Sequence, residues 1–202
     1  VSQTVDGSES PRSEAVEVFS VEYTPPQSLY DGQTLDNTTL DDDGFGYFEV
    51  RDGTKLALQV QVPDDDFGGG PYPVLIMYSG YAPSTNLLLP PAIVNQLGYA
   101  LVGVNKRGTQ CSGGKFDLWE QLQWLDGYDM VETIAAQKWA DGVGLIGASY
   151  SGYSQFYVAA TQPPSLDAIS PGHPVGDFYR DVGWPGGALN DTFATSWAAN
   201  RD

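Results

Sequence analysis

The decapeptide Val143-Gly144-Leu145-Ile146-Gly147-Ala148-Ser149-Tyr150-Ser151-Gly152 decides how this 202-residue chain is read. Residues 142–147 are a short apolar run bounded by glycines, the pattern of a strand buried on both faces. A helix is expected over 150–160, so Ser149 stands at the apex of a strand–turn–helix bend. In a nucleophile elbow the apical serine is held in a strained backbone conformation. The residues two before and two after it must be small, because they nearly touch. Gly147 and Ser151 meet that demand, with Ser151 in place of the second glycine of Gly-x-Ser-x-Gly and Gly152 following. A glycine-rich turn between strand and helix also occurs without chemistry; the strand before and the helix after favour the catalytic reading of Ser149.

Outward from this bend, residues 73–78 and 99–104 read as buried strands, with a short helix over 91–97 between them. Asp126, with Asp129 three residues on, reads as the N-cap of a helix running to about Trp139, whose apolar stripe is Met130, Val131, Ile134 and Ala135. A further strand is expected over 166–170. Strands alternating with crossover helices imply an α/β fold with a mostly parallel sheet. Ahead of it, residues 45–50 and 56–62 flank Arg51-Asp52-Gly53-Thr54, and an Asp-Gly turn between alternating segments predicts an antiparallel hairpin. Residues 1–44, polar and rich in Ser, Thr, Asp and Pro, read as an extended N-terminal arm with a short strand over 16–23. The α/β region is assigned to 45–202.

Composition narrows the function. With 26 acidic against 9 basic side chains the formal charge is −17, and phosphate backbones and anionic headgroups are repelled, so no nucleic-acid partner is expected. One cysteine, Cys111, and one histidine, His173, exclude a thiolate or multi-histidine metal centre, and no cofactor is expected. No apolar stretch approaches the roughly 20 residues needed to span a bilayer. The chain opens at Val1 with no export signal in view; the acidic balance with only four lysines suits an extracellular or cell-surface protein whose signal has been removed. The acidic runs 41–43 and 64–66 lack the alternating spacing of a calcium loop and read as solvated faces.

If Ser149 is a nucleophile, its oxyanion needs two donors. One is the backbone N–H of Tyr150; the other comes from the loop after the third strand, residues 78–83, where Tyr81 carries a phenolic hydroxyl. Read in order, Asp52-Gly53-Thr54-Lys55-Leu56, Pro73-Val74-Leu75-Ile76, Leu97-Gly98-Tyr99-Ala100, Arg107-Gly108-Thr109, Asp126-Gly127-Tyr128-Asp129, Gly147-Ala148-Ser149-Tyr150-Ser151-Gly152 and Pro163-Pro164-Ser165-Leu166 resemble the X-prolyl dipeptidyl-peptidase and cocaine-esterase-like (acyl esterase) group of α/β-hydrolases. The resemblance covers about residues 45–202. It implies a serine hydrolase acting on an acyl ester or peptide substrate, with Ser149 as nucleophile and Tyr150 and Tyr81 as oxyanion donors. Asn105 stands where that group usually has Asp in D-x-R-G-T, and Arg107 reads as a structural charge partner.

In this fold the acid and histidine follow the serine in chain order. The resemblance implies that both, with a cap and the last strands, lie beyond residue 202, so that this segment alone is expected to be inactive and to need the remaining C-terminal part as its partner. His173 sits at the expected sheet edge but in the wrong order for the base, in a Pro-flanked loop. Two other classes stand beside this reading: a non-catalytic binding or surface-assembly protein on the same scaffold, and a carbohydrate-active enzyme with paired carboxylates, for which no opposed pair is legible. Trp119, Trp124, Tyr128, Trp139 and Trp184 read as core, with Trp119 and Trp184 in segments that border a pocket. Cys111 reads as a plain loop thiol.

Overall fold

The computed structural model of the chain describes residues 4–5, 8–9, 25–63, 67, 69–81 and 90–199. Strands β1 (Thr4–Val5) and β2 (Ser8–Glu9) pair antiparallel as a separate ladder, followed by a one-turn helix, α1 (Ser28–Asp31). Then β3 (Phe45–Glu49) and β4 (Lys55–Gln61) form the expected antiparallel hairpin. Its turn closes through Val50 N–H to the Thr54 carbonyl at 2.9 Å, with Gly53 at φ +79°.

The chemistry is positioned by four parallel strands, β5 (Tyr72–Ser79), β6 (Ala100–Asn105), β7 (Ala140–Ala148) and β8 (Leu166–Gly172), with β4 running antiparallel to β6. Helices α2 (Pro91–Gln96), α3 (Gln121–Ala135) and α4 (Tyr150–Ala160) are the crossovers. The sheet order is β3-β4-β6-β5-β7-β8. From β5 the chain crosses toward β4, and from β7 it crosses the other way. The carboxyl ends of β5 and β7 therefore flank the point where the winding reverses, and such a point opens a crevice. Apolar side chains from one face of the sheet, among them Ile76, Val102, Val104 and Leu145, build the core with Met130, Val131 and Ile134 of α3, the stripe expected from sequence. Gly127 lets α3 approach α4: a Cβ there would collide with the Val158 side chain.

Two features differ from the sequence reading. Asp126 is no helix cap. It lies inside α3, fully buried, because its carboxylate and that of Asp129 face buried arginines rather than free N–H groups. The end of the N-terminal arm, residues 25–44, is also packed down. Tyr30 and Leu35 are 2% and 1% exposed, the Tyr30 hydroxyl donates to Asp129 at 2.8 Å, and the Trp139 indole donates to the Leu35 carbonyl at 2.6 Å. Three anchors spread over 11 residues, Tyr30, Leu35 and Leu40, produce no period for a pattern search to find. The strand expected over 16–23 and the acidic run 64–66 lie outside the described residues. At the other run, the Asp41 carboxylate caps the entry to β3, accepting the N–H groups of Asp43 and Phe45.

Candidate active site

Ser149 joins β7 to α4 at φ +57° and ψ −120°, a region that side chains with a Cβ rarely enter and that costs about 1–3 kcal/mol. The surroundings enforce it. The Ser149 N–H donates to the Gly172 carbonyl of β8 at 2.9 Å, and the Ser151 hydroxyl donates to the Ala148 carbonyl at 3.0 Å. Gly147 has φ +150°, and a Cβ on it would stand 2.5 Å from Ser151 Oγ; a Cβ on Gly152 would run into the Gly172 carbonyl. Gly147→Ala is therefore expected to destabilise the domain by about 1–3 kcal/mol in urea unfolding. Adding Ser151→Gly should recover part of that loss, because it removes the collision and leaves only the backbone strain.

Ser149 is exposed and opens into a cavity of about 60 Å³. Tyr81, Trp119, Tyr150, Tyr153, Phe178 and Trp197 wall it, with His173 at its margin. Trp119, read from sequence as a core residue in a segment bordering a pocket, lines the cavity at φ +61° and packs edge-on against Tyr150 and Tyr153 at centroid distances of 4.7 and 4.6 Å. Trp184 does not reach the cavity; it stacks on Tyr179 at 4.6 Å, away from Ser149. Tyr153 and Tyr157 were not singled out from sequence, although their helical spacing to Tyr150 on one face of α4 is a signal for them. Phe178 and Trp197 carry no such signal, since they arrive from short turns after β8 and from helix α5 (Ser196–Ala199).

All three residues singled out for catalysis border this cavity. Tyr81 follows β5 across the crevice from Ser149. Its N–H donates to Ser79 Oγ at 3.0 Å, its carbonyl accepts from the Asn105 side-chain amide at 3.0 Å, and its hydroxyl accepts from the Trp197 indole at 3.1 Å. An aspartate at 105 has no proton to give that carbonyl at neutral pH, so asparagine supplies a donor there. His173 lines the same cavity at φ +49°. Among the described residues neither its imidazole nor the Ser149 hydroxyl takes part in a side-chain hydrogen bond.

Behind the site Arg107 is clamped. Its Nε and Nη2 donate to the two oxygens of Asp126 at 2.6 and 2.5 Å, and Nη1 donates to Asp52 at 3.0 Å. Burial pushes the Asp126 carboxyl up, to about 6, and the hydrogen-bonded guanidinium of Arg107 pulls it back down. This fork ties the end of β6 to α3 and to the β3–β4 turn, and it fixes the strand end on which Asn105 and Lys106 sit.

A mixed sheet with a strained, exposed serine between a parallel strand and its crossover helix, beside the reversal in strand order, defines the α/β-hydrolase fold. Within it, the chain belongs to the X-Pro dipeptidyl-peptidase (S15) family, whose sequence model matches residues 52–201. It is 34% identical to the cocaine esterase of Rhodococcus sp. (strain MB1 Bresler) over 157 residues, 74% of this chain and 27% of that protein. A CocE/NonD family hydrolase from Staphylococcus aureus superposes with a TM-score of 0.70 at 28% identity, over 78% of this chain and 32% of its own. An aminopeptidase from the marine sediment archaeon Thaumarchaeota archaeon shares the fold, with a TM-score of 0.64 at 19% identity over 95% of this chain and 33% of its own. The chain thus spans about a quarter to a third of the length of these relatives.

Proposed function

We propose that the chain is the nucleophile-bearing part of a serine hydrolase that cleaves an ester or amide through an acyl-enzyme on Ser149. The observation that carries this reading is the Ser149 backbone, strained at φ +57° and presented to an aromatic-walled cavity. The serine oxygen attacks the substrate carbonyl and its proton passes to a histidine held by an acid, both supplied by sequence beyond residue 202. The carbonyl oxygen, now anionic, accepts from the Tyr150 N–H and the Tyr81 hydroxyl. The leaving group departs with the proton, and water then releases the acid. The names of the relatives span ester and peptide cleavage, and the aromatic walls suit an apolar acyl group. The reading extends to an extracellular or cell-surface setting, supported by the charge of −17 and tested by the appearance of the full-length protein in culture supernatant.

A fluorophosphonate probe is expected to label Ser149 in the full-length protein, as read by peptide mass spectrometry; no label on Ser149 overturns the proposal. Tyr81→Phe keeps the ring and removes the O–H donor, together with the acceptor of the Trp197 indole N–H. It should lower kcat by about 100- to 1,000-fold with KM little changed, the effect of losing one oxyanion donor. A change confined to KM would remove Tyr81 from that role.

A further inference from the structure

Lys106 is 2% exposed at the carboxyl end of β6, and the mechanism above makes no use of it. Arg51 and Arg107 meet carboxylates; the Lys106 ammonium instead meets ring faces. Its Nζ lies 4.5 Å from the Tyr150 ring centroid, 4.8 Å from that of Tyr78 and 5.5 Å from that of Trp119. Among the described residues it has no ion-pair partner within 4 Å. Its backbone N–H donates to the Ser79 carbonyl at 3.0 Å, and Ser79 Oγ accepts from the Tyr81 N–H. One proposed oxyanion donor therefore belongs to the residue whose ring covers the ammonium, and the other is two hydrogen bonds away.

Resting on the reading of Ser149 as nucleophile, we infer that Lys106 is a positioning residue for the site. Its ammonium holds the Tyr78, Trp119 and Tyr150 rings in register and keeps a buried positive charge behind the oxyanion. A cation–π contact strengthens when it is desolvated, and an unscreened charge acts over several ångströms. In the resting site no anion answers this charge closely, so its burial is unfavourable. When the carbonyl oxygen becomes anionic that cost falls, and the gain appears in the transition state and not in substrate binding.

The groups facing Lys106 are Tyr78 from β5, Asp126 from α3 with Arg107 paired to it, Tyr150 from α4, and Trp119. Burial pulls the Lys106 amine down, to about 7, with the Asp126 carboxylate opposing. Burial also holds the Tyr78 phenol well above its usual range, so it stays neutral. As the pH rises through about 7 the ammonium loses its proton and its help to the oxyanion fades, which gives kcat/KM a falling alkaline limb.

Lys106→Met in the full-length protein keeps the apolar stem and removes the charge. Expected are a drop in kcat on the order of tenfold with KM within about twofold, and loss of the alkaline limb. Kinetics equal to the parent with the limb retained, in a protein whose Ser149 takes the fluorophosphonate, overturn this inference and leave the serine reading standing. A parent protein that takes no label overturns both. Should the variant not fold, the parent decides the matter: the Lys106 Nζ resonance in ¹⁵N-lysine spectra must titrate at the pH of the kcat/KM limb, and titration without a matching limb overturns the inference.

Discussion

Replacing Ser149 by alanine in the full-length protein is expected to lower kcat by about a millionfold, with fluorophosphonate labelling abolished and the unfolding midpoint nearly unchanged. The reasoning starts from the backbone. At φ +57° serine and alanine carry the same Cβ and suffer the same strain, so the exchange does not relax the bend. The hydroxyl is exposed and makes no side-chain hydrogen bond among the described residues, so its loss leaves neither a core void nor a stranded polar partner. The backbone N–H of residue 149 still meets the Gly172 carbonyl, and Tyr150 and Tyr81 keep their places. What disappears is the atom that would become acylated. Residual turnover then comes only from binding and the two oxyanion donors. Hydrolysis of a chromogenic ester, measured with unfolding on the same preparation, checks the expectation. A loss below about tenfold would place the nucleophile elsewhere in the protein, because a serine that acts covalently has no partial substitute.

The bend around Ser149 was legible because its demands are local. A buried strand, two positions that admit only small residues and a helix start all fall within ten residues, and each leaves a mark in composition. The β3–β4 hairpin was legible for the same reason, through Asp52-Gly53. The position of Tyr81 just after β5 follows from counting apolar runs, since the order of strand ends follows from the order of runs. The rest was set by contacts between distant segments. Asp126 and Asp129 look like helix-start residues in isolation, and only the partners 19 and 78 residues away, Arg107 and Arg51, show why they are buried mid-helix. Trp197 meets Tyr81 across 116 residues, and neither periodicity nor spacing carries that information. Lys106 is a further case: a lysine after an apolar strand reads as a solvated end, and only the three rings around it account for a buried cation.

Arg107→Met is expected to destabilise the domain by about 3–5 kcal/mol, a large part of the stability of an ordinary domain. The guanidinium satisfies both oxygens of an Asp126 that is 0% exposed, and methionine leaves that carboxylate in the core with no hydrogen-bonded counter-charge and two unmet acceptors. Asp52 loses a partner as well, but its carboxylate keeps a hydrogen bond from the Thr54 N–H and lies nearer the surface, so its share is smaller. Asp126→Leu alone should cost less, because it leaves Nε and Nη2 of the guanidinium unmet while Nη1 keeps Asp52. The double variant should be far less damaged than the sum of the two, since a buried pair exchanged for apolar residues of similar volume is often close to neutral. Urea unfolding of the parent, both singles and the double variant measures the coupling. The activity of the double variant separates two consequences of the fork. If the pair served stability alone, the double variant would recover turnover with its fold. Because the fork also fixes the strand end that carries Asn105 and Lys106, and Asp126 is the carboxylate facing that lysine, turnover should stay below the parent after stability has returned. A single-variant loss under about 1 kcal/mol would mean that Asp126 takes up a proton and stays in place as a neutral acid.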